Sequence, residues 1–185
     1  MKHIGLATGH PVWRVFYTAP RAEKKCELRL EERGITVFLP KRAVMRQWKD
    51  RKKKVIEPLF PNYIFAQVDE RDRLRVLQTD GIVRTVMFGR AMAEVSEEEI
   101  ENLRLTQNDP WRLAPLTTPL PARGTKVEVT EGPFAGLRGE VISHRGEEHV
   151  VLVIPSIRQA VRINIPAVWT KPLGEDAVLY AGRAR

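Results

Sequence analysis

The chain has a single cysteine, Cys26, among 185 residues, so no disulfide can close within it, and such sparse thiol use suits a reducing cytosol. Serine is nearly as scarce. Ser96, Ser143 and Ser156 are the full set, and none sits in the G-x-S-x-G turn that exposes a nucleophilic hydroxyl. The four histidines are no richer in chemistry. His3 and His10 lie near the start, His144 and His149 flank a turn, and with one distant cysteine they have no zinc spacing. The glycine-rich stretch GPFAGLRG, residues 132–139, lacks the Gly-Lys-Ser/Thr ending of a phosphate-binding loop and no helix signal follows it. Its glycines are expected to shape a tight turn. No stretch approaches the roughly 20 apolar residues of a membrane-spanning helix. The first ten residues, MKHIGLATGH, lack the apolar segment of a secretory signal. A hydrolase, a nucleotidase and a metalloenzyme are therefore disfavoured, and no cofactor or metal is implied.

Positive charge is what the chain has in excess. The net charge is +8, and it is concentrated. Lys41, Arg42, Arg46, Lys49, Arg51, Lys52, Lys53 and Lys54 face one acid, Asp50, so that this segment carries nearly the whole surplus. A dense cationic patch is the footprint of a polyanionic partner. Met45 and Trp48 interleave with the charges and add apolar contact surface, which points to nucleic acid. The alternative is a solvated arm that only aids solubility. Directly after this segment comes EPLFPNYIF, residues 57–65. Two prolines bracket Phe60, and a strand then places Tyr63 and Phe65 on one face.

The pattern of elements predicts an α+β sandwich followed by a small all-β domain. Trp13–Thr18 reads as a strand. Residues 21–33 read as a helix with Ala22, Cys26 and Leu30 in one apolar stripe, stopped by Gly34. Ile35–Leu39 is a second strand. Residues 41–57 form an extended hairpin arm, with Val44 and Met45 across from Val55 and Ile56. Asn62–Val68 is a strand, and Asp69–Thr79 a helix capped by Asp69 with Leu74 and Leu77 inward. Ile82–Phe88 is a strand, and Ser96-Glu-Glu-Glu99 has the spacing of a capping box ahead of Ile100 and Leu103. This order predicts an antiparallel sheet with helices on one side. Pro110, Pro115, Pro119 and Pro121 then mark residues 107–121 as a linker. Short β-rich runs at Lys126–Thr130, Gly139–Arg145, His149–Ile154 and Gln159–Ile165 suit a small barrel over 122–173. Residues 1–11 are expected to be a flexible start and 174–185 a tail, with 12–106 as the first domain.

These pieces resemble a known family. GTKVEVTEGPFAGLRG, residues 124–139, is similar to a KOW motif, the opening of an SH3-like barrel. WRVFYTAPRAEKK, EPLFPNYIF and GIVRTVMFG resemble the NusG N-terminal (NGN) domain. Within that family, EPLFPNYIF and the Arg46-x-Trp48-x-Asp50-Arg51-Lys52 segment are closer to the specialised antiterminator paralogues of RfaH and UpxY type than to housekeeping NusG. The resemblance implies a monomeric transcription elongation factor of the bacterial cytoplasm. Its NGN domain would bind the clamp helices of the largest subunit of RNA polymerase and oppose pausing. Carried onto matching positions, the docking pocket would comprise Tyr17, Phe60, Tyr63, Phe65 and Phe88, with Tyr63 and Phe65 foremost. The other residues of that strand, Ile64, Ala66 and Val68, would face the core. The nucleic-acid surface would comprise Arg21, Lys24, Lys25, Arg42, Arg46, Trp48, Lys49, Arg51, Lys52, Lys53 and Lys54, on upstream or non-template DNA. Trp48 either stacks on an unpaired base or packs the hairpin. Ile154, Ile157 and Arg158 would meet a KOW partner, such as a small-subunit ribosomal protein. The loop Ile154-Pro-Ser-Ile-Arg158 lacks the aromatic found there in housekeeping members, which makes Rho an unsuitable partner. The alternatives left open are a housekeeping NusG and a ribosome- or RNA-associated KOW protein.

Overall fold

The structure, a computed structural model, describes residues 9–48, 50–88, 90–116, 124–144, 147–154, 159–165 and 167–174. The elements run β1 (Val12–Thr18), α1 (Glu23–Glu32), β2 (Thr36–Phe38), β3 (Lys41–Gln47), β4 (Lys52–Pro58), β5 (Tyr63–Val68), α2 (Glu70–Leu77), β6 (Ile82–Thr85), β7 (Met87–Phe88), β8 (Ala91–Met92), β9 (Glu94–Val95) and α3 (Glu97–Thr106). They continue with β10 (Leu113–Leu116), β11 (Thr125–Val129), β12 (Arg138–His144), β13 (Glu147–Ile154), β14 (Gln159–Ile163) and β15 (Thr170–Pro172). Two compact units result. One joins residues up to Leu39 with Pro61–Ser96, and the other joins Pro40–Phe60 with residues from Glu97 onward. The hairpin arm and α3, expected in the first domain, thus cluster with the β-rich part.

The first unit is built on an antiparallel sheet ordered β2-β5-β1-β6, with β9 pairing the early part of β1. Phe16, Ile64, Ala66 and Val68 line one face and pack with Cys26 and Leu30 of α1 and Val76 of α2. The apolar stripe of α1 includes Ala22, packed against this cluster. Helix α2 starts where Asp69 caps it, its carboxylate accepting the Asp72 N–H at 2.7 Å. Its phase differs from expectation. Val76 is the buried residue, Leu77 packs at the margin and Leu74 is exposed. Two leucines three apart cannot by themselves say which of the positions around them the core selects. The expected strand Ile82–Phe88 is also broken. The Val86 N–H donates to the Val15 carbonyl and the Val86 carbonyl accepts from the Ala93 N–H, so β6 ends and β7 pairs β8 instead.

The second unit holds the two-stranded β3–β4 ribbon, α3 and a six-stranded antiparallel sheet ordered β10-β14-β13-β12-β11-β15. Part of the stretch expected as a linker, 107–121, is structured, and residues 117–121 lie outside the described residues. Residues 110–112 form a 3-10 turn, and 113–116 are β10, paired with β14 as an edge strand. The glycine-rich loop is a turn, as its composition suggested. Gly132 has φ +76°, and a Cβ there would strike the Trp169 ring. A Cβ on Gly139 would lie 2.7 Å from the Val151 carbonyl of the neighbouring strand. Helix α3 buries Ile100 and Leu103 and meets the sheet's turns through Asn102, whose Oδ1 accepts the Arg138 N–H at 3.4 Å.

Both faces of the first unit's sheet are buried at its centre. Opposite the α1 face, Trp13, Val15 and Phe65 are as inaccessible as the core residues, and the Phe38 ring lies 6.4 Å from that of Phe65. Phe65→Ala should therefore lower unfolding stability by about 3–5 kcal/mol, as truncation of a buried ring does. Tyr63→Ala, at a half-buried position on the same strand, should lower it by less than half as much. Urea denaturation of the two variants checks the contrast.

Candidate functional site

Two surfaces gather the residues that carry chemistry. The first is a row across three neighbouring strands of the first unit. Tyr63 on β5 pairs with Tyr17 on β1, and Tyr17 pairs with Arg84 on β6. Residues paired in register share a face. The two tyrosine rings meet edge-to-face with centroids 5.5 Å apart, and the Arg84 guanidinium lies 5.4 Å from the Tyr17 ring centroid. Both rings are half-buried and Arg84 is exposed, so the row is a rim that another surface can meet. A backbone device holds it in place. Asn62 is left-handed, with φ 66°. Its N–H donates to the buried Glu23 carboxylate at 2.8 Å, and its carbonyl accepts the Thr18 N–H at 2.8 Å. The turn before β5 is thereby locked, and Tyr63 with it.

Two of the rings expected in this surface are elsewhere. Phe60 is 1% exposed and Phe65 0%, which corrects their assignment as docking residues. The expectation assumed that one face of β5 is solvated. Because β5 is paired on both edges and covered on both faces at Phe65, Tyr63 is the aromatic residue of the strand that reaches the rim. Phe88 lies in β7 opposite Ala91, and its side chain is outside the described residues. Arg84 was missed because nothing in GIVRTV marks which residue stands opposite Tyr17; the pairing register alone does so.

The second surface is the arm. Its register pairs Ala43 with Ile56, Val44 with Val55, Met45 with Lys54, Arg46 with Lys53 and Gln47 with Lys52. The tip closes with the Trp48 N–H donating to the Arg51 carbonyl at 2.8 Å. At the base the Lys41 N–H donates to Gln107 Oε1 at 2.8 Å and the Leu59 N–H to the Pro40 carbonyl at 2.8 Å. Like charges along such a ribbon repel, and Glu57 offsets part of that repulsion. Its carboxylate accepts from Arg42, and from Arg46 Nη2 at 2.7 Å. Partial burial opposes its ionisation, but those two hydrogen bonds and the two guanidinium charges outweigh burial and hold the carboxyl below its ordinary range. Arg42 is thus turned inward as a clamp. Arg46, Trp48, Arg51, Lys52, Lys53 and Lys54 are exposed toward the tip, and the Lys53 ammonium lies 5.3 Å from the Trp48 ring centroid. Arg21, Lys24 and Lys25 are exposed at the start of α1, in the other unit. Lys49, Ile157 and Arg158 lie outside the described residues; Ile154 ends β13 opposite Gln159.

Burial pushes the Cys26 thiol up, away from nucleophilic use, with Arg29 opposing and Glu23 and Asp80 adding to the rise. Among the described residues no group of three or more His, Cys, Asp or Glu is arranged to hold a metal. No described helix is long and apolar enough to cross a membrane.

The model of the family described as transcription termination factor NusG matches residues 11–104, just over half of the chain. The chain belongs to the NusG family. A Thermus thermophilus relative, the transcription termination/antitermination protein NusG, is 28% identical over 163 residues, which span 77% of this chain and 89% of that protein. The solved structure of Thermotoga maritima NusG covers 88% of this chain and 97% of its own with a TM-score of 0.50 and 21% identity, a likeness of fold. The expected fold, an α+β NGN part followed by a small all-β domain, is that of the family.

In this NusG-family chain the Glu57 clamp should fail in acid. A carboxyl lowered by folding stabilises the arm fully above its unfolded value near 4.5, and that contribution is lost as pH falls through the lower folded value. Amide exchange across β3 and β4, taken relative to the intrinsic rate at each pH, should therefore stay slow at neutral pH and rise in acid. Glu57→Gln should raise it roughly ten-fold at neutral pH, the loss of about one charge-assisted hydrogen bond.

Proposed function

We propose that this chain is a non-enzymatic elongation factor, specialised as an antiterminator, that docks on the clamp helices of the largest subunit of RNA polymerase and suppresses pausing and termination. The Tyr17–Tyr63 pair carries this reading. Two half-buried aromatic rings held in a fixed geometry, with a guanidinium at their margin, are the composition of an interface hot spot. Both rings keep part of their surface accessible and stand on a sheet buried on both faces at its centre. Docking is then a rigid-body event with little ordering cost.

The arm serves the second contact. Its exposed cations neutralise phosphates of upstream or non-template DNA, which tethers the factor without reading sequence. The loop at 154–158 has no aromatic residue, and this supports an antiterminator in preference to a Rho-linked termination factor. On the other reading, a ribosome- or RNA-associated KOW protein, affinity would reside in the β-rich part and the tyrosine row would be idle.

The double variant Tyr17→Ala/Tyr63→Ala should weaken capture of RNA polymerase by at least about 30-fold, the scale of a hot-spot pair. Arg84→Ala should have a smaller effect. Unchanged capture by a folded double variant ends the docking assignment and favours the KOW reading. In transcription across a pause site, the wild-type chain should shorten the dwell and raise readthrough. A dwell time that does not respond removes the elongation role.

A further inference from the structure

Four tryptophans are present, and the structure treats them unequally. Trp13 is buried, and Trp169 is half-buried with the Arg112 guanidinium 5.7 Å from its ring centroid. Trp48 and Trp111 are 52% and 45% exposed, uncommon for so large an apolar ring. Each carries a lysine. Lys53 stands over Trp48 and Lys54 over Trp111, both 5.3 Å from the ring centroid. Consecutive residues of a strand point to opposite faces, so the two pairs occupy opposite sides of the ribbon.

The Trp111 side has its own composition. Lys54 pairs with Met45 and Ile56 with Ala43, and both Met45 and Ile56 are exposed. Lys52, one step toward the tip, shares this face. Trp111 itself is held rigidly. Pro110 opens the 3-10 turn, and Asp109 accepts the Trp111 N–H at 3.3 Å and the Arg112 Nε–H at 3.0 Å. An indole on a fixed turn, with Lys54 over its ring, lies against β3 of the ribbon, and the ribbon face that carries Lys54 also carries Met45, Ile56 and Lys52, an apolar strip edged with cations.

We propose that this strip binds one unpaired nucleotide of single-stranded DNA, its base stacked on Trp111 and its phosphates on Lys54 and Lys52. The inference rests on the nucleic-acid reading of the arm and adds a site that the charged tip does not supply. Lysine is depleted where proteins meet proteins, and two lysines beside one ring therefore favour a phosphate-bearing partner. Stacking needs the base free of its pair, which selects single strands over duplex. Met45 and Ile56 offer a ribose 2′-hydroxyl only apolar contact, and covering that hydroxyl without a partner is unfavourable, so DNA is preferred over RNA.

The test uses the full chain and three fluorescein-labelled probes read by anisotropy: a 12-nucleotide DNA, an RNA of the same sequence, and the DNA duplex. Wild type should bind the single-stranded DNA most tightly. Trp111→Ala should weaken that binding roughly ten-fold, as loss of one stacked base does, and leave duplex binding within about two-fold. Trp111→Phe should restore most of it. Lys54→Ala should reduce the slope of log affinity against log salt by about one. Circular dichroism melts confirm that each variant is folded. If Trp111→Ala leaves single-strand affinity unchanged while Arg51→Glu/Lys53→Glu, both outside the strip, lowers it, the strip is overturned and the arm reading stands. If the charge reversal also has no effect, the arm reading falls with it. Tighter binding of RNA, or equal loss on the duplex, overturns the assignment of the occupant.

Discussion

Strand β5 is hydrogen-bonded on both edges, to β1 and to β2, and the first unit inherits its register. Val15 stands opposite Phe65 and Phe16 opposite Ile64, so one pairing decides which residues enter the α1 face and which enter the other. A slip by one residue would exchange every side chain between the two faces. The Tyr17–Tyr63 row follows from the same register, two residues beyond Phe65 along the same face. So does the position of Asn62, whose left-handed turn begins the strand and brings its carbonyl to the Thr18 N–H. The rim is therefore positioned by the same register as the core beside it.

The arm follows a different principle. A two-stranded ribbon has little core of its own, and alone in water it is marginal. It is held at its base by Lys41 and Leu59 and along its length by the Arg42–Glu57–Arg46 cluster. One carboxylate thus offsets Arg42 and Arg46, while toward the tip the cations outnumber the one acid there, Asp50. Charge density rises along the arm toward its end, which orients an approaching polyanion before contact.

Much of this was legible in the sequence, for identifiable reasons. Gly34, Pro40 and Asp69 punctuate the chain, and the elements they bound appear within a residue or two of where expected. The arm is a hairpin in which a charged tip separates Val44 and Met45 from Val55 and Ile56. Where expectation failed, the missing information was tertiary. Tyr63 and Phe65 share a face, but period alone cannot say that the face is wet at 63 and dry at 65. Leu74 and Leu77 suit a helix, while the core selected Val76. Residues 113–116 looked like linker because Pro115 donates no hydrogen bond. An edge strand tolerates that proline, and β10 pairs only with β14. Trp111 was hidden by the same proline-rich stretch, and Arg84 by a register that no local pattern encodes.

The incorporation of β10 into the sheet sets a length. With residues 113–116 paired, the tether from the end of α3 to the β-rich sheet is residues 107–112, and six residues span at most about 20 Å even when fully drawn out. Part of that is already wound into the 3-10 turn that carries Trp111. The sheet is thus on a short leash. Drawing the sheet further from the end of α3 than that span would require β10 to part from β14, so the pairing of one edge strand fixes the reach of the tether.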